Sequence, residues 1–487
     1  MPCENDDIKR TMKTIAFKSL SNKISLIAWV AFCVFFCALP FSNAADLHVY
    51  FGNLHSHTSY SDGSGTPSDA YKTARDKAKL DFLAITEHNH SQAESGAGNR
   101  RDGLLIATDH SLYSGNQSSS VISSAKTFNK DGSFVALYGQ EFSSISKGNH
   151  INVFDIDAVI DEAVVPNGDF SALISWLGSH PDSQNAKPIL EFNHPSTQLR
   201  QQGIEYGADD FGSQQGWISK VGEQACLIEL LNGPALTDTL GHRSDPDFES
   251  AYLYYLSLGF KLAPTGDQDN HYRTWGLITD SRTGVITDSL TKSKILEAIR
   301  ARHVYATEDK NLRIIFMVEG HLCGDVIQSL PTPGSHLDIK YSIQDDDEPN
   351  ASYSIEVFQG AVGKQAVTNP NTENTTGNNT PANPKSIDDV ALSGGSQYLF
   401  FRITQTGEDG TPDRAWTAPV WFEGNSIDVA APPTPPTEDV SNFVASKRSA
   451  IYHISASCKS AKSIRPENLI TGADAKKGRS PHQGCPL

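Results

Sequence analysis

"YFGNLHSHTSYSDGSGTPSDAYKTARDKAKLDFLAITEHN", residues 50–89, sets His55, His57, Asp62 and His88 around two apolar runs. "HVYFGNLHSH" and "LDFLAITEHN" are short apolar runs that end in polar residues, the pattern of buried strands. Between them "TPSDAYKTARDKAKL" has the spacing of a helix, with Pro67 and Ser68 as start signals. His55, His57 and Asp62 follow the first strand, and His88 closes the second. A folded core has no need of so many imidazoles at strand ends. A metal site does.

The same texture continues from residue 46 to about 312. "FVALYGQEFS", "HINVFDI", "PILEFNHPS", "ACLIELLNG" and "FKLAPTGDQDNH" each read as a buried strand with a polar end, and helical patterns separate several of them. Such alternation predicts an α/β fold, either a parallel α/β barrel or a doubly wound sheet. In both, the chemistry sits at the carboxyl ends of the strands. The histidines fall at those ends.

The candidate metal ligands, in chain order, are His55, His57, Asp62, His88, Glu141, His150, His194, Asp269 and His271. In His-x-His on a strand, both side chains point to one face and can share a cation. Imidazole together with carboxylate suits Zn, Mn or Fe rather than Ca or Mg alone. Nine ligands exceed what one ion uses, so a centre of two or three divalent metals is expected, with Glu141 as the bridging carboxylate. A lone histidine is more often a hydrogen-bonded core residue than a ligand. The case rests on the recurrence of such groups at successive strand ends.

"NLHSHTSYSDG", "LDFLAITEHN", the later Glu and His positions and "DQDNH" resemble the successive motifs of the PHP (polymerase and histidinol phosphatase) superfamily, over about 46–312. The secreted, carbaryl-hydrolase-like branch is the most similar, and "RAWTAPVWFEG" resembles the β appendage common there. The resemblance implies a distorted (β/α)7 barrel with a trinuclear centre. In it, His55, His57, Glu141 and Asp269 would hold one ion, Glu141, His150 and His194 a second, and Asp62, His88 and His271 a third. One position departs from the family: Glu87 stands where Asp usually precedes the second-motif histidine. That position is normally outside the ligand set, so the change bears on tuning more than on metal binding.

The chemistry consistent with such a centre is hydrolysis by a metal-bound hydroxide, with the leaving oxygen polarised by a second ion. The first expectation is a phosphoesterase acting on a phosphomonoester or phosphodiester, a small-molecule or nucleotide-like substrate. Arg273 and Arg302 are the candidate clamps for its non-bridging oxygens, and His303 the candidate proton donor to a leaving group. The same centre would serve a carboxyl or carbamate ester or amide. A non-catalytic binding scaffold is the third reading, and the full ligand set speaks against it.

From 313 to 425, "LDIKYSIQ", "YSIEVFQG", "SQYLFFRITQ" and "APVWFEG" alternate apolar and polar residues between Asn/Thr/Pro/Gly-rich loops, which predicts a small antiparallel β-sandwich. Residues 426–441 are a Pro-rich linker and 442–487 a short module. The formal charge of the 487-residue chain is −17, which argues against a general nucleic-acid coat, yet 441–487 carries eight Lys/Arg against two Asp/Glu. Within it His453 and Cys458, then His482 and Cys485, form two short-spaced pairs that match one structural zinc site. The stretch resembles a metal-binding tail module attached to some nucleases, in which a cysteine usually stands at the place of His482. A Cys458–Cys485 disulfide is the rival reading. Its basic charge suggests contact with an anionic polymer; a solvated surface is the plain alternative.

At the amino end, Lys13, Lys18 and Lys23 precede the apolar run "ISLIAWVAFCVFFCALPF" and the small residues of "SNAAD". This reads as a signal peptide over 1–44 with cleavage after Ala44, and an uncleaved anchor as the competitor. The metallohydrolase domain is then 45–312, in a periplasmic or secreted protein. Of seven cysteines only Cys226, Cys323, Cys458 and Cys485 would remain after cleavage, too few for a disulfide scaffold. Oligomeric state is not legible in the sequence.

Overall fold

The computed structural model describes residues 47–95, 104–143, 150–195, 213–235, 246–330, 332–364, 367–392, 395–407, 410–423, 444–447 and 451–453, with 462, 464–471, 474 and 480–481. It divides into two compact units, 1–428 and 429–487. The signal reading at 1–44 and the linker at 426–441 lie outside the described residues. Among those described, no helix is long and apolar enough to cross a membrane.

The first unit is a mixed α/β structure around one large sheet. Its strands β1 (His48–Asn53), β2 (Phe82–His88) and β3 (Val135–Phe142) run parallel, β4 (Ile151–Phe154) is antiparallel, and β5 (Leu190–Phe192), β6 (Ala225–Asn232) and β7 (Ala263–Asp267) run parallel again. Every residue of β2, β3 and β6 is buried, as expected of strands covered on both faces. The sheet curls until its last strand returns to its first. His57 N donates to Asn270 O at 2.9 Å, Ser56 forms a parallel bridge to Asn270, and Asn53 Nδ2 reaches Gly266 O at 3.2 Å.

Helix α1 (Pro67–Thr73) follows β1, as the sequence predicts. Its cap is Thr66: the Thr66 side chain accepts from Asp69 N, and the Asp69 carboxylate accepts from Thr66 N, a reciprocal pair that satisfies two otherwise orphaned donors. A π-turn over Ala74–Ala78 then ends at Lys79 with φ 59°, and the chain enters β2.

On the far side of β1, the hairpin β8 (Arg282–Thr287) and β9 (Val304–Thr307) extends the sheet antiparallel. Helix α2 (Lys292–Arg300), capped by Thr291, joins them. The change of sequence pattern near 313 does not interrupt the hydrogen bonding. Strand β9 pairs with Ala415–Thr417, and through it the path continues into the antiparallel strands Gln397–Thr406, Ser352–Ala361 and Val367–Thr376. A separate antiparallel sheet contains Arg313–Val318 and Ile339–Gln344, and Phe316 from it stacks on Phe401 at 4.5 Å. One buried apolar cluster accordingly runs from Val49 and Phe51 through Ile314 and Phe316 to Phe401 and Val420.

The second unit contains a small sheet of four short strands, Val444–Ser446, Ile451–His453, Leu469–Thr471 and Ser480–Pro481. His453 ends the second of these; Cys458, His482 and Cys485 lie outside the described residues.

Candidate metal centre

Parallel strands deliver their carboxyl ends to one side of a sheet, and the candidate ligands arrive there from both halves of the chain. His55 and His57 follow β1, His88 ends β2, Glu141 lies near the end of β3, and His150 immediately precedes the antiparallel β4. His194 follows β5, while Asp269 and His271 follow β7. Asp62 comes from the loop between β1 and α1.

Their metal-binding atoms form three overlapping groups that could hold ions. The first is His55, His57, Glu141 and Asp269. His55 Nε2 is 3.2 Å from His57 Nε2, 3.2 Å from Asp269 Oδ1 and 3.4 Å from Glu141 Oε1; His57 Nε2 is 3.1 Å from Asp269 Oδ1 and 3.3 Å from Glu141 Oε2. The second is His88, Glu141 and His150, with both imidazoles 3.0 Å from the Glu141 carboxylate. The third is His57, Asp62, His88 and His271, with His271 Nε2 3.1 Å from Asp62 Oδ1. His194 approaches the same carboxylate, its Nε2 3.2 Å from Glu141 Oε1. The grouping differs from the one the resemblance implies: His57 and His88 each stand in two groups, and His194 lies beside Glu141 without belonging to any of the three.

These atoms fit cations. His55 Nδ1 faces Glu229 Oε1 at 2.8 Å, which places its proton there and turns the bare Nε2 lone pair toward the centre. His271 is set the same way, Nδ1 donating to the Asp269 carbonyl at 2.7 Å. Imidazole nitrogens, Nε2 of His55, His57, His194 and His271 and Nδ1 of His88 and His150, then converge with carboxylate oxygens at separations that are the edges of a coordination polyhedron with bonds of about 2.0–2.2 Å. Glu141 Oε2 and Asp62 Oδ1 are buried without a well-formed hydrogen bond. Bare acceptors packed this closely repel one another unless a cation lies among them.

The carboxylates give the cluster an electrostatic character that favours positive charge. Burial alone would lower the His55 imidazole, but Asp269, Glu141 and Glu229 outweigh it and hold it well above its ordinary value. His88 is similarly opposed by burial and pushed up to about 9 by Glu141 and Asp62. Asp62, Asp269 and Glu141 are held below the usual carboxylate range: burial works against this, and the surrounding imidazoles prevail. His194 and Asp269 adopt positive φ, 31° and 47°, a conformation that costs a non-glycine residue of order 1–3 kcal/mol and clusters at functional sites.

Sequence reading missed the carboxylates beneath the ligands. Glu229 also accepts from His194 N at 2.5 Å and from Asn232 Nδ2 at 2.9 Å. A lone Glu in the apolar run "ACLIELLNG" was its only signal. Glu87, the position that departs from the family pattern, accepts from Thr58 N at 3.1 Å and also from the hydroxyls of Thr58 and Ser61. It thereby ties down the loop that carries Asp62.

The proposed catalytic set needs correction. Arg302 and His303 precede β9, and β9 runs in the same direction as β1, so they lie at the amino ends of the strands, opposite the ligands. The registers Tyr50 to Val285 and Val285 to Val304 fix this. Arg302 donates to Gly324 O at 3.2 Å and packs over Trp421, while His303 pairs with Asp325 at 2.8 Å. Arg273, two residues beyond His271, is exposed and 3.8 Å from Asp69. It stays on the ligand side.

No protein family and no curated protein matches the sequence. Among solved structures, a two-domain protein of Bacteroides vulgatus, described as containing a predicted PHP-like metal-dependent phosphoesterase, aligns with 73% of this chain and 91% of its own at 13% identity and a TM-score of 0.37. The PmoD soluble domain of a Methylocystis species aligns with 23% of this chain and 90% of its own, at 11% identity and a TM-score of 0.16. Likeness at this level leaves function to the site itself.

Proposed function

We propose that the protein is an exported, metal-dependent hydrolase of the PHP type, acting on a phosphomonoester or phosphodiester. The observation that carries this reading is the convergence of nine His, Asp and Glu side chains, from 55 to 271, into overlapping groups around Glu141. Bound there, divalent ions would supply Lewis-acid polarisation and acidify water. The protein's own part is to hold the ligands. Glu141 spans two groups, Glu229 and the Asp269 carbonyl set the tautomers of His55 and His271, and Glu87 anchors the Asp62 loop. Arg273 at the rim is the cation suited to a non-bridging phosphate oxygen. In this reading the strands up to 312 form the distorted (β/α)7 barrel, 313–425 is its β-sandwich appendage, and 442–487 binds a structural zinc and offers a basic surface to an anionic polymer.

The test is turnover of aryl phosphates, bis-aryl phosphates and aryl carbamates by purified protein loaded in turn with Zn, Mn or Fe, with metal counted by elemental analysis. Two or three ions per chain beyond any zinc in the tail, with turnover of a phosphate ester, are expected. His55→Ala/His57→Ala should lose turnover and at least one ion. Normal hydrolysis by that double variant defeats the assignment, and carbamate turnover alone would move it to the ester or amide class.

A further inference from the structure

Asn193 lies between the end of β5 and His194 and is wholly buried. It is not among the candidate ligands, yet it ties three of them together. Its backbone N donates to the His150 carbonyl at 3.0 Å, its Nδ2 donates to Glu141 Oε1 at 2.9 Å, and His194 is the next residue in the chain. A further contact settles which way the amide faces. Asn152 N lies 3.3 Å from Asn193 Oδ1, and a backbone N–H can only donate. Oδ1 therefore accepts there, and Nδ2 is left for the carboxylate.

Asn152, on β4, is itself held: its Nδ2 donates to Glu191 Oε2 at 2.9 Å, and Thr265 Oγ1 from β7 donates to Glu191 Oε1 at 2.7 Å. All three residues are wholly buried, so a buried run of hydrogen bonds passes from β7 through β5 and β4 to Glu141 on β3. At its end the two oxygens of Glu141 are unlike. Oε1, 3.0 Å from His150 Nδ1 and 3.2 Å from His194 Nε2, receives the Asn193 hydrogen bond. Oε2, 3.3 Å from His57 Nε2 and 3.0 Å from His88 Nδ1, lacks a well-formed one. A carboxylate free to turn about its Cγ–Cδ bond would not keep this division. One pinned oxygen fixes the plane of the group, and with it which imidazoles each oxygen faces.

We propose that Asn193 is a positioning residue of the metal centre: by holding Glu141 Oε1 toward His150 and His194 it leaves Oε2 for the His57 and His88 side, so that one carboxylate bridges two ions. The inference rests on the metal-dependent reading of the site. It adds the group that makes Glu141 a bridge rather than a ligand of one ion. Partners that hydrogen-bond a ligating carboxylate carry about 10–100-fold in metal affinity.

Manganese titration of the full chain, followed by electron paramagnetic resonance, tests this, because two Mn ions that share a carboxylate are magnetically coupled and separate ions are not. Asn193→Asp keeps the acceptor for Asn152 N and removes the donor to Glu141; Asn193→Ala removes both. In each variant one manganese should bind about 10–100-fold more weakly than in the parent, and the coupled signal should give way to that of isolated ions. A residue needed only to hold the strand end would be served by the aspartate, so affinity and coupling equal to the parent's in Asn193→Asp overturn the inference. Should the buried aspartate prevent folding, Asn193→Ala decides by the same two readings. Coupled manganese in the parent with unchanged variants defeats this inference and leaves the hydrolase reading standing. A parent that holds no coupled manganese also overturns it, and turnover with Zn or Fe then decides the hydrolase reading separately.

Discussion

Glu229 Oε1 and His55 Nδ1 lie 2.8 Å apart with neither side chain exposed to solvent, although 174 residues separate them in the chain. This pair decides which nitrogen of His55 faces the centre. Glu229→Gln should therefore lower metal affinity by about 10–100-fold while the protein stays folded. Competition against a chromophoric chelator, with circular dichroism as the control, measures it. Unchanged affinity would mean that the tautomer is set by something else.

Glu87 holds Thr58 and Ser61 with a side chain one methylene longer than the aspartate usual in the PHP motif that the sequence resembles. Glu87→Asp should fail to reach both hydroxyls and loosen the Asp62 loop. A fall in kcat of about ten-fold, with KM little changed, is expected for an interaction that positions rather than binds. An ion count unchanged by Glu87→Ala would argue that the loop needs no such anchor.

His303 is paired with Asp325 away from the ligands, so its expected part is in stability. Burial pushes Asp325 up, but His303 at 2.8 Å, with His321 nearby, brings it net below the usual range. A depressed carboxyl contributes stability that is present above its unfolded value of 3.8 and lost as pH falls through the folded value. His303→Gln should thus be less stable than the parent at pH 5 and converge with it toward pH 2, with turnover at neutral pH within about two-fold, as for substitutions remote from reacting groups. Denaturant melts across that range read the first, steady-state assays the second. A hundred-fold loss of turnover would return His303 to the catalytic set.

The tail makes a stoichiometric prediction. If His453, Cys458, His482 and Cys485 hold a structural zinc, a form ending near 440 should carry one fewer zinc than the full chain and the same number of other ions. Equal zinc in both forms, together with loss of free thiol on oxidation of Cys458 and Cys485, would favour the disulfide.

Much of the centre was legible because imidazole and carboxylate at strand ends are costly to keep without a use. The His-x-His of 55 and 57 and the acid and histidine of "DQDNH" announce themselves locally. The strand polarity that misplaced Arg302 and His303 was not legible: they flank an apolar strand as the ligands do, but precede it. Only pairing through β8 shows that this end faces away.

By itself, the chain's order of residues determined the alternation of strand and helix and the list of groups able to bind a cation, since both depend on side chains a few positions apart. Tertiary structure alone decided which of those groups come within reach of one another and which buried acid orients which imidazole. Those relationships join atoms tens to hundreds of residues apart, and only the curling of the sheet and the pairing of its strands bring them within reach.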